Sequence, residues 1–277
     1  CFKRNESKIM NLSPSIICKH NKKYFDKIFS YKKRPGYEKK FNIKGKYKRA
    51  FYQCSKCKHM YAAHSFNINQ LYSKQYLELT YNNVDGINER FKNVIKLQIN
   101  KSDNKNRANR IHNFFLKKKL KLLDVGSGIG VFLFEMKKKN WDVSGIEMDK
   151  RYAEYCKKFH KLKVYRKALS KLNNNLKFNL ISFNKVLEHV KNPGNLLNTA
   201  KNYLKKDGII YIEVPDIKAK VGGKNRKEFC IDHLHIFSPL SLKILATQCG
   251  LEIIQTRTIH EPSGKYTLFG FLKKRNL

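Results

Sequence analysis

The chain has 277 residues, 41% of them hydrophobic, so it can form one large or two modest domains and is too apolar to be disordered. No apolar run approaches 18 residues, which argues against a membrane-spanning helix. The formal net charge of +38 comes from 48 lysines and 11 arginines set against 21 acidic residues, and it raises the question of a nucleic-acid partner.

The distribution of the basic residues speaks against a protein that reads a nucleic-acid groove. Lysines occur in every segment, and asparagine, isoleucine and phenylalanine are also abundant, as expected of an AT-rich genome. A groove reader more often clusters arginines with aromatic residues. We therefore expect nucleic-acid binding to be nonspecific at most, while a nucleic-acid role stays open as the alternative.

The beginning of the chain bears on its cellular location. The first residue is Cys1 and Met10 is a candidate initiator, so we expect a fragment or a start upstream of the true initiator. A mature lipoprotein also begins with cysteine, but no charged-then-apolar secretory signal opens the chain, and the cofactor inferred below is cytosolic. We predict a cytoplasmic protein.

Residues 1–100 form a region of their own in this prediction, because they carry cysteine and histidine at the spacing of a metal site. Cys18-x-His20 and Cys54-x-x-Cys57 flank a basic, aromatic segment. A Cys-x-x-Cys turn presents two thiolates to one tetrahedral ion, and zinc accepts them when a second pair completes the site. A redox pair and two unrelated buried thiols are the alternatives.

Helical and polar segments follow. Asn67–Arg90 is predicted to be a tyrosine-rich helix, Asn100–Asn106 a linker, and Asn106–Lys118 a helix. Three further cysteines are predicted to be ordinary core residues of a reducing compartment: Cys156, Cys230 and Cys249.

The stretch Leu120–Lys150 has the pattern strand, glycine turn, helix, strand. An apolar run ends at Val125, three glycines follow at alternate positions, and a helical pattern leads to a second strand that ends in Glu147. Glycines at such a crossing allow positive φ and let a ligand lie against bare backbone at a helix N-terminus. The stretch is therefore a candidate cofactor loop.

The spacing within this loop distinguishes between cofactors. A dinucleotide fingerprint would need glycine at Val131. Instead Asp124 stands at the strand tip, where a carboxylate would repel a pyrophosphate but suits a ligand that carries an ammonium and a sulfonium. Glu147, 19 residues after Gly128, is placed to bind two ribose hydroxyls.

The rest of the chain alternates between strands and helices, which predicts an α/β, Rossmann-like, doubly wound and mostly parallel sheet with helices on both faces. The predicted strands are Leu120–Val125, Trp141–Ile146, Leu162–Tyr165, Phe178–Phe183, Gly208–Val214, Leu251–Thr258 and Tyr266–Leu272. The predicted helices are Ile129–Lys139, Asp149–His160, Pro193–Leu204 and Ser238–Cys249.

From about Asn104 to its end, the chain resembles the class I S-adenosylmethionine-dependent methyltransferases. The Asp124-x-Gly126-x-Gly128-x-Gly130 motif is similar to their cofactor loop, Leu187-Glu188-His189-Val190 to the segment after their fourth strand, and Lys206–Pro215 to their fifth strand. Asp232-His233-Leu234-His235 is similar to a subgroup that includes sugar C-methyltransferases. The resemblance implies a methyltransferase domain over residues 101–277, with a seven-stranded sheet whose last strand is antiparallel.

Several members that the chain resembles have an N-terminal zinc-binding region that ends in a pattern similar to the stretch from Tyr52 to Tyr61. The resemblance would place a second Cys-x-x-Cys at the first pair, but Asn21 stands in the last position. A histidine must then complete the site: His20, His59 or His64. We predict one structural zinc ion bound by Cys18, His20, Cys54 and Cys57.

The resemblance also implies the cofactor S-adenosylmethionine. Its predicted contacts are Asp124, Gly126, Ser127, Gly128, Gly130, Glu147, Met148, Leu169 and Asn184. The acid that often follows the third strand of the family and holds the adenine amine is missing, since Lys167-Ala168-Leu169 stands there. Adenine contacts must therefore come from the backbone or from other side chains.

Methyl transfer to a poor nucleophile also needs a proton acceptor. We predict His233 in this role, with the adjacent Asp232 raising its basicity and fixing its orientation. His189 is the second candidate, although in the wider family this histidine often lies beside the cofactor without acting as a base. His235 is expected to face the other way in an extended segment, and a loop-pinning role for Asp232 and His235 is the alternative.

The sequence thus predicts an enzyme that methylates a small-molecule acceptor, such as a sugar or another hydroxylated or keto metabolite. An RNA methyltransferase that holds RNA with its zinc region and basic surface is the alternative. Against it, Phe183-Asn184-Lys185-Val186 follows the fourth strand instead of the Asn/Asp-Pro-Pro-aromatic signature of many base-amine methyltransferases. The intact cofactor loop makes a non-catalytic binding protein the weakest interpretation.

Overall fold

Two β-sheets organise the computed structural model, which describes residues 17–38, 46–66, 84–115 and 120–275. In chain order the strands are β1 (Phe25–Tyr31), β2 (Arg49–Cys54), β3 (Met60–His64), β4 (Lys121–Val125), β5 (Asp142–Ile146), β6 (Lys163–Tyr165), β7 (Phe178–Asn184), β8 (Leu204–Pro215), β9 (His235–Ile236), β10 (Leu251–His260) and β11 (Tyr266–Lys274). The α-helices are α1 (Val84–Lys96), α2 (Asp103–Phe114), α3 (Val131–Lys138), α4 (Lys150–His160), α5 (Pro193–Lys201) and α6 (Pro239–Gln248).

The larger sheet has the strand order β6-β5-β4-β7-β8-β11-β10. Its first five strands are parallel, β11 is antiparallel to β8, and β10 is antiparallel to β11. This arrangement confirms the predicted mostly parallel seven-stranded sheet and its antiparallel last strand. Because β4 and β7 are neighbours at the centre, their carboxyl ends meet where the cofactor loop begins.

Helices cover both faces of this sheet, as the alternating pattern predicts. On one face Leu197 of α5 and Leu245 of α6 belong to a buried cluster with the strands. On the other face Phe91 of α1, Ile111 of α2 and Tyr155 of α4 belong to a second cluster. Within the ranges given above, no helix combines the length and the apolar character that crossing a bilayer would require.

The smaller sheet joins the N-terminal region to a distant part of the chain. Its order is β1-β2-β3-β9, and every pairing is antiparallel. Since β9 lies between β8 and α6, the sheet contains strands from both sides of residue 100. Phe51 of β2 and Phe229, which precedes β9, pack edge to face in a core of their own. The division into 1–100 and 101–277 stays a prediction.

Two expected segments differ from the structure or lie outside it. The predicted linker Asn100–Asn106 instead contains the start of α2, because Oγ of Ser102 caps this helix by accepting a hydrogen bond from the backbone of Lys105 at 3.2 Å. Most of the predicted tyrosine-rich helix Asn67–Arg90 lies outside the described residues. The described part begins with α1.

Candidate functional site

Three glycines with positive φ shape the loop between β4 and α3. The φ values are 78° at Gly126, 53° at Gly128 and 81° at Gly130. A Cβ at Gly130 would lie 2.8 Å from Sγ of Cys156, whereas a Cβ at Gly128 would meet no atom of the described residues within 4 Å. Gly130 is therefore required by the packing of the protein itself, while Gly128 leaves its backbone open to a ligand near the start of α3.

Two carboxylates flank this loop. Asp124 is buried at the end of β4, and its Oδ1 accepts hydrogen bonds from Oγ of Ser182 at 2.7 Å and Nδ2 of Asn184 at 2.8 Å. Burial raises the pKa of Asp124 to about 7 although these bonds oppose the rise. Glu147 follows β5 and accepts the backbone N–H of Gly128 at 2.8 Å, and burial raises its pKa too.

Two polar atoms beside the loop are buried without a hydrogen-bond partner among the described residues, namely Oδ1 of Asn184 and Oγ of Ser127. Since Nδ2 of Asn184 donates to Asp124, its Oδ1 is left as an acceptor. A ligand with an ammonium group would satisfy this acceptor and would also stabilise the ionised form of Asp124.

A cavity of about 580 Å³ lies at the carboxyl ends of β7 and β8. Lys185, the residue after Asn184, lines it together with Glu188, His189 and the segment 230–233. Tyr37 and Glu38 of the N-terminal region form another part of the wall. The cavity therefore begins one residue beyond Asn184, which is bonded to Asp124, and it is built by both parts of the chain.

Two histidine rings meet in this cavity, with their centroids 4.8 Å apart and their planes nearly perpendicular. Nδ1 of His233 lies 2.7 Å from the carbonyl oxygen of Glu228, and Nδ1 of His189 lies 3.0 Å from that of Asp232. Because a carbonyl can only accept, both Nδ1 atoms carry the proton, and Nε2 is the proton-accepting nitrogen of each neutral ring. Burial and the neighbouring His189 lower the pKa of His233 to about 3.

The cavity also holds one lysine and one glutamate with unusual surroundings. Lys185 has a φ of 60°, which is uncommon for a residue with a side chain, and its Nζ donates to Oγ1 of Thr267. Burial lowers the pKa of Lys185. Glu188 is fully buried, and neither of its carboxylate oxygens has a hydrogen-bond partner in the part of the chain that the structure describes. Burial raises the pKa of Glu188.

The structure brings the four predicted metal ligands together. The ligand atoms of Cys18, His20, Cys54 and Cys57 all lie within 4.8 Å of one another, and Nδ1 of His20 is 3.1 Å from Sγ of Cys54. A hydrogen bond from Cys57 lowers the pKa of Cys18 to about 5, and the thiolate is the form that binds metals. Three sulfurs and one imidazole are a set that zinc binds in tetrahedral structural sites, so these residues fit the ion.

The two other candidate metal ligands, His59 and His64, make hydrogen-bond contacts outside the thiol cluster. Nε2 of His59 lies 3.2 Å from Nδ1 of His235, and its Nδ1 lies 3.3 Å from Oγ of Ser241. Nε2 of His64 lies 3.0 Å from the carbonyl oxygen of Ile231. Both histidines therefore contact the segment around β9 and are not part of the thiol cluster.

Comparison with known proteins gives the family. The model of a methyltransferase domain family matches residues 101–256, which is more than half of the chain. The chain belongs to this family. Two ubiquinone biosynthesis O-methyltransferases are similar to it in sequence. The protein of Glaesserella parasuis serovar 5 (strain SH0165) is 29% identical over 112 residues, covering 36% of this chain and 47% of the relative.

The second relative, from Pelagibacter ubique (strain HTCC1062), is 34% identical over 100 residues, covering 34% of this chain and 42% of its own. The chain thus spans less than half the length of the curated relatives it matches.

Solved methyltransferase structures share the fold. The glycopeptide N-methyltransferase MtfA in complex with S-adenosyl-L-methionine gives a TM-score of 0.53 at 10% identity, over 62% of this chain and 95% of that chain. The 1,6-didemethyltoxoflavin-N1-methyltransferase of Burkholderia thailandensis, with bound 1,6-didemethyltoxoflavin and S-adenosylhomocysteine, gives a TM-score of 0.52 at 16% identity, over 70% of this chain and 87% of that chain. At such identities the likeness concerns the fold alone.

Most predicted cofactor residues of this methyltransferase domain surround the glycine loop, and two of them have surroundings that do not show a cofactor contact. Leu169 is buried in the hydrophobic core that also contains Val125 and Ile146. Met148 is 61% exposed. The cofactor contacts predicted for these two side chains stay predictions.

Two expectations about the loop before β9 are wrong. The carbonyl of Glu228 fixes the ring of His233, while Oδ2 of Asp232 lies 3.6 Å from Nδ1 of His189. The charge of Asp232 does act to raise the pKa of His233, but burial and His189 outweigh it and lower that pKa to about 3. The short helical turn Lys227–Phe229 brings that carbonyl to His233. Cys230 is not a core residue, because it lines the cavity. Nδ1 of His235 lies 3.2 Å from Nε2 of His59, whereas His233 lines the cavity. An extended segment does not explain this difference, because its residues i and i+2 share a face; a turn closed by the hydrogen bond from His233 N–H to the carbonyl of Cys230 precedes β9.

Lys185 and Glu188 are among the cavity residues that sequence reasoning missed. A signal existed for Glu188, since it directly precedes His189 at the carboxyl end of a strand, where ligands bind in open α/β sheets. Nothing in the sequence distinguishes Lys185 among 48 lysines.

Proposed function

We propose that the protein transfers a methyl group from S-adenosylmethionine to a small-molecule acceptor. The observation that carries this proposal is the cofactor loop itself: an open glycine backbone, a carboxylate at each neighbouring strand end and a buried acceptor oxygen. A cavity with two histidines begins one residue beyond Asn184.

The chain offers a matching group for each part of the cofactor, which supplies the methyl group of its sulfonium when bound. Asp124 and Oδ1 of Asn184 would receive the ammonium. Glu147 would accept hydrogen bonds from ribose hydroxyls, because each carboxylate oxygen has a second lone pair. Gly128 would let the cofactor approach the backbone. We also propose cofactor contacts for the other predicted residues, namely Gly126, Gly130, Ser127, Met148 and Leu169.

In the acceptor cavity, we propose that Nε2 of His233 takes the proton of the acceptor. Its Nδ1 is bonded to the carbonyl of Glu228, which fixes the ring and its tautomer. His189 stands beside it, held by the backbone and the carboxylate of Asp232. Asp232 would therefore act on the proton acceptor both by holding His189 and through its own charge, which lies near the ring of His233.

The size of the cavity supports a small acceptor, since about 580 Å³ falls within the range of small-molecule sites. The relatives are named for ubiquinone biosynthesis and for a toxoflavin precursor, both small molecules. We propose a sugar or another hydroxylated or keto metabolite. We also propose a cytoplasmic location and one structural zinc ion at Cys18, His20, Cys54 and Cys57.

Calorimetry with S-adenosylhomocysteine tests the cofactor assignment. Glu147→Ala removes the charge-assisted acceptor of the ribose, worth about 1.5–3 kcal/mol per hydrogen bond, so the affinity should fall roughly ten- to a hundredfold. Glu154→Ala, an exposed glutamate of α4, is the control. Tight binding of NAD without heat from S-adenosylhomocysteine would refute the proposal.

The acceptor class is tested by screening methyl transfer from tritium-labelled S-adenosylmethionine to sugars, polyols and keto compounds. The background signal measured without an added acceptor and a heat-inactivated sample are the controls. Nanomolar binding of one structured RNA at physiological salt, in place of transfer to any of these compounds, would favour the alternative function.

A further inference from the structure

Glu188 is a buried acid of the cavity that has no role in the proposed function as stated above. It lies in the short helical turn Leu187–His189 directly after β7, and its side chain is fully buried. The carbonyl of Glu188 accepts a hydrogen bond from the backbone of Leu234 at 2.7 Å, which ties this turn to the loop that carries His233. Its carboxylate oxygens have no hydrogen-bond partner among the described residues.

A buried carboxylate without a partner is costly when ionised, so a protein retains one where a positive charge comes to meet it. The ligand atoms of Glu188, His189 and His233 all lie within 4.8 Å of one another. A proton that arrives on Nε2 of His233 would therefore create an imidazolium within reach of this carboxylate.

Asp232 is a second acid beside the ring, since the ligand atoms of Cys230, Asp232 and His233 also lie within 4.8 Å of one another and the charge of Asp232 acts to raise the pKa of His233. It is shared with His189, whose Nδ1 lies 3.6 Å from its Oδ2.

Three further charged groups around the pair have partners of their own. Glu228 is paired with Arg226, Glu38 is paired with Arg49, and Lys185 donates to Thr267. The groups that face the cavity besides Glu188 and His233 are Tyr37, Glu38, Lys185, His189, Lys227, Glu228, Cys230, Asp232, Lys265 and Tyr266.

We propose that Glu188 is a positioning residue whose carboxylate stabilises the imidazolium that forms on His233 during methyl transfer. The inference rests on the proposed function. In the step, the proton of the acceptor goes to Nε2 of His233, the electron pair left on the acceptor forms the bond to the methyl carbon, and the carbon–sulfur pair stays on sulfur. The ion pair exists only once the proton has moved, so it favours the transition state over the ground state.

The test follows the ring of His233 by NMR in protein with ¹³C- and ¹⁵N-labelled histidine, saturated with S-adenosylhomocysteine, as the pH is lowered from 8. Ionised Glu188 should produce a titration step in the His233 signals, with a midpoint above the ordinary glutamate pKa of about 4.3 and below about 7. The step should disappear in Glu188→Gln, shift in Glu188→Asp and persist in Glu154→Gln, whose exposed carboxylate lies on α4.

Three results would overturn the proposal. Identical His233 titrations in wild type and Glu188→Gln would show that the carboxylate does not act on the ring, and absence of any step down to pH 4 would show that it is never ionised beside it. Selective broadening of His189 and His233 by Mn²⁺, lost in Glu188→Gln, would assign the group to a metal site. If Glu188→Gln does not fold, the Glu188→Asp variant decides alone, because an unchanged midpoint of the His233 titration step in that variant would contradict the proposal. Failure of S-adenosylhomocysteine to bind the wild type would instead refute the proposed function.

Discussion

Replacing Gly128 by alanine should separate a glycine that serves a ligand from one that serves packing. Its φ of 53° lies in the left-handed region, where a residue with a Cβ costs roughly 1–2 kcal/mol. Because the new Cβ would meet no protein atom within 4 Å, we expect no further loss of stability. The added methyl would instead occupy the space through which a cofactor approaches the backbone. A clash of about 1–3 kcal/mol corresponds to a roughly 5- to 150-fold weaker affinity.

The structure supplies two matched controls for this experiment. Gly264 has a φ of 80° and no atom within 4 Å of its Cβ position, so Gly264→Ala measures the backbone cost alone. A Cβ at Gly130 would lie 2.8 Å from Sγ of Cys156 and 2.9 Å from Cδ1 of Leu162. Gly130→Ala should therefore lose about 2–5 kcal/mol, since overpacking adds to the backbone strain.

Denaturant unfolding measures these stabilities, and calorimetry with S-adenosylhomocysteine measures the affinities. We expect Gly128→Ala to match Gly264→Ala in stability while it alone of the two loses affinity. The reasoning is refuted if Gly128→Ala binds S-adenosylhomocysteine as tightly as the wild type. It is also refuted if Gly128→Ala is as unstable as Gly130→Ala, because the loop would then need that glycine for its own packing.

Two further predictions concern the thiol cluster and the histidines. Protein purified without added zinc should contain about one zinc per chain. Cys54→Ser should lose the zinc together with the fold of the smaller sheet, because structural zinc contributes about 10–16 kcal/mol in small zinc modules. Cys249→Ser lies outside the cluster and should keep the metal, and a zinc content near zero in folded wild type would contradict the prediction. His233→Ala should slow methyl transfer about 10²–10⁴-fold and leave the calorimetric affinity for S-adenosylhomocysteine unchanged, whereas the control His260→Ala should change neither the rate nor the affinity. Full turnover of His233→Ala would show that this histidine only shapes the loop.

The fold and the cofactor loop could be predicted from the sequence because their signals are local. The strand that ends at Val125, the three glycines and the helix after them lie within a short stretch, and their pattern determines which backbone can form. Predicted element boundaries differ from the observed ones by a few residues: β8, for example, begins at Leu204 rather than Gly208. Such differences are expected, since hydrophobic patterns mark the middle of an element better than its ends.

The acceptor side could be predicted only in part, because it depends on contacts between distant segments. The two residues of β9 are too few to show a periodic pattern, and the strand exists because β3 pairs with it. The adjacency of Asp232 and His233 suggested a pair, but adjacent residues of a loop need not face each other, and the carboxylate lies closer to His189. The burial of Glu188 without a partner depends on the whole cavity and has no signature in the sequence.

The smaller sheet therefore matters for the acceptor side more than for the cofactor side. Backbone N–H groups of Gly126 and Ser127 bond to the carbonyl of Ile146, so the cofactor loop is anchored within the larger sheet. The loop before β9 is bonded to Glu188 and His189 and is also held from the N-terminal region. Its carbonyl oxygens accept hydrogen bonds at three points, from Arg49 to Phe229, from His64 to Ile231 and from Ala62 to Leu234. A change that unfolds β2 and β3 would thus remove three of the hydrogen bonds that hold the segment carrying His233, while the glycine loop keeps its own bonds. The N-terminal region therefore contributes to the shape of the cavity that this segment lines.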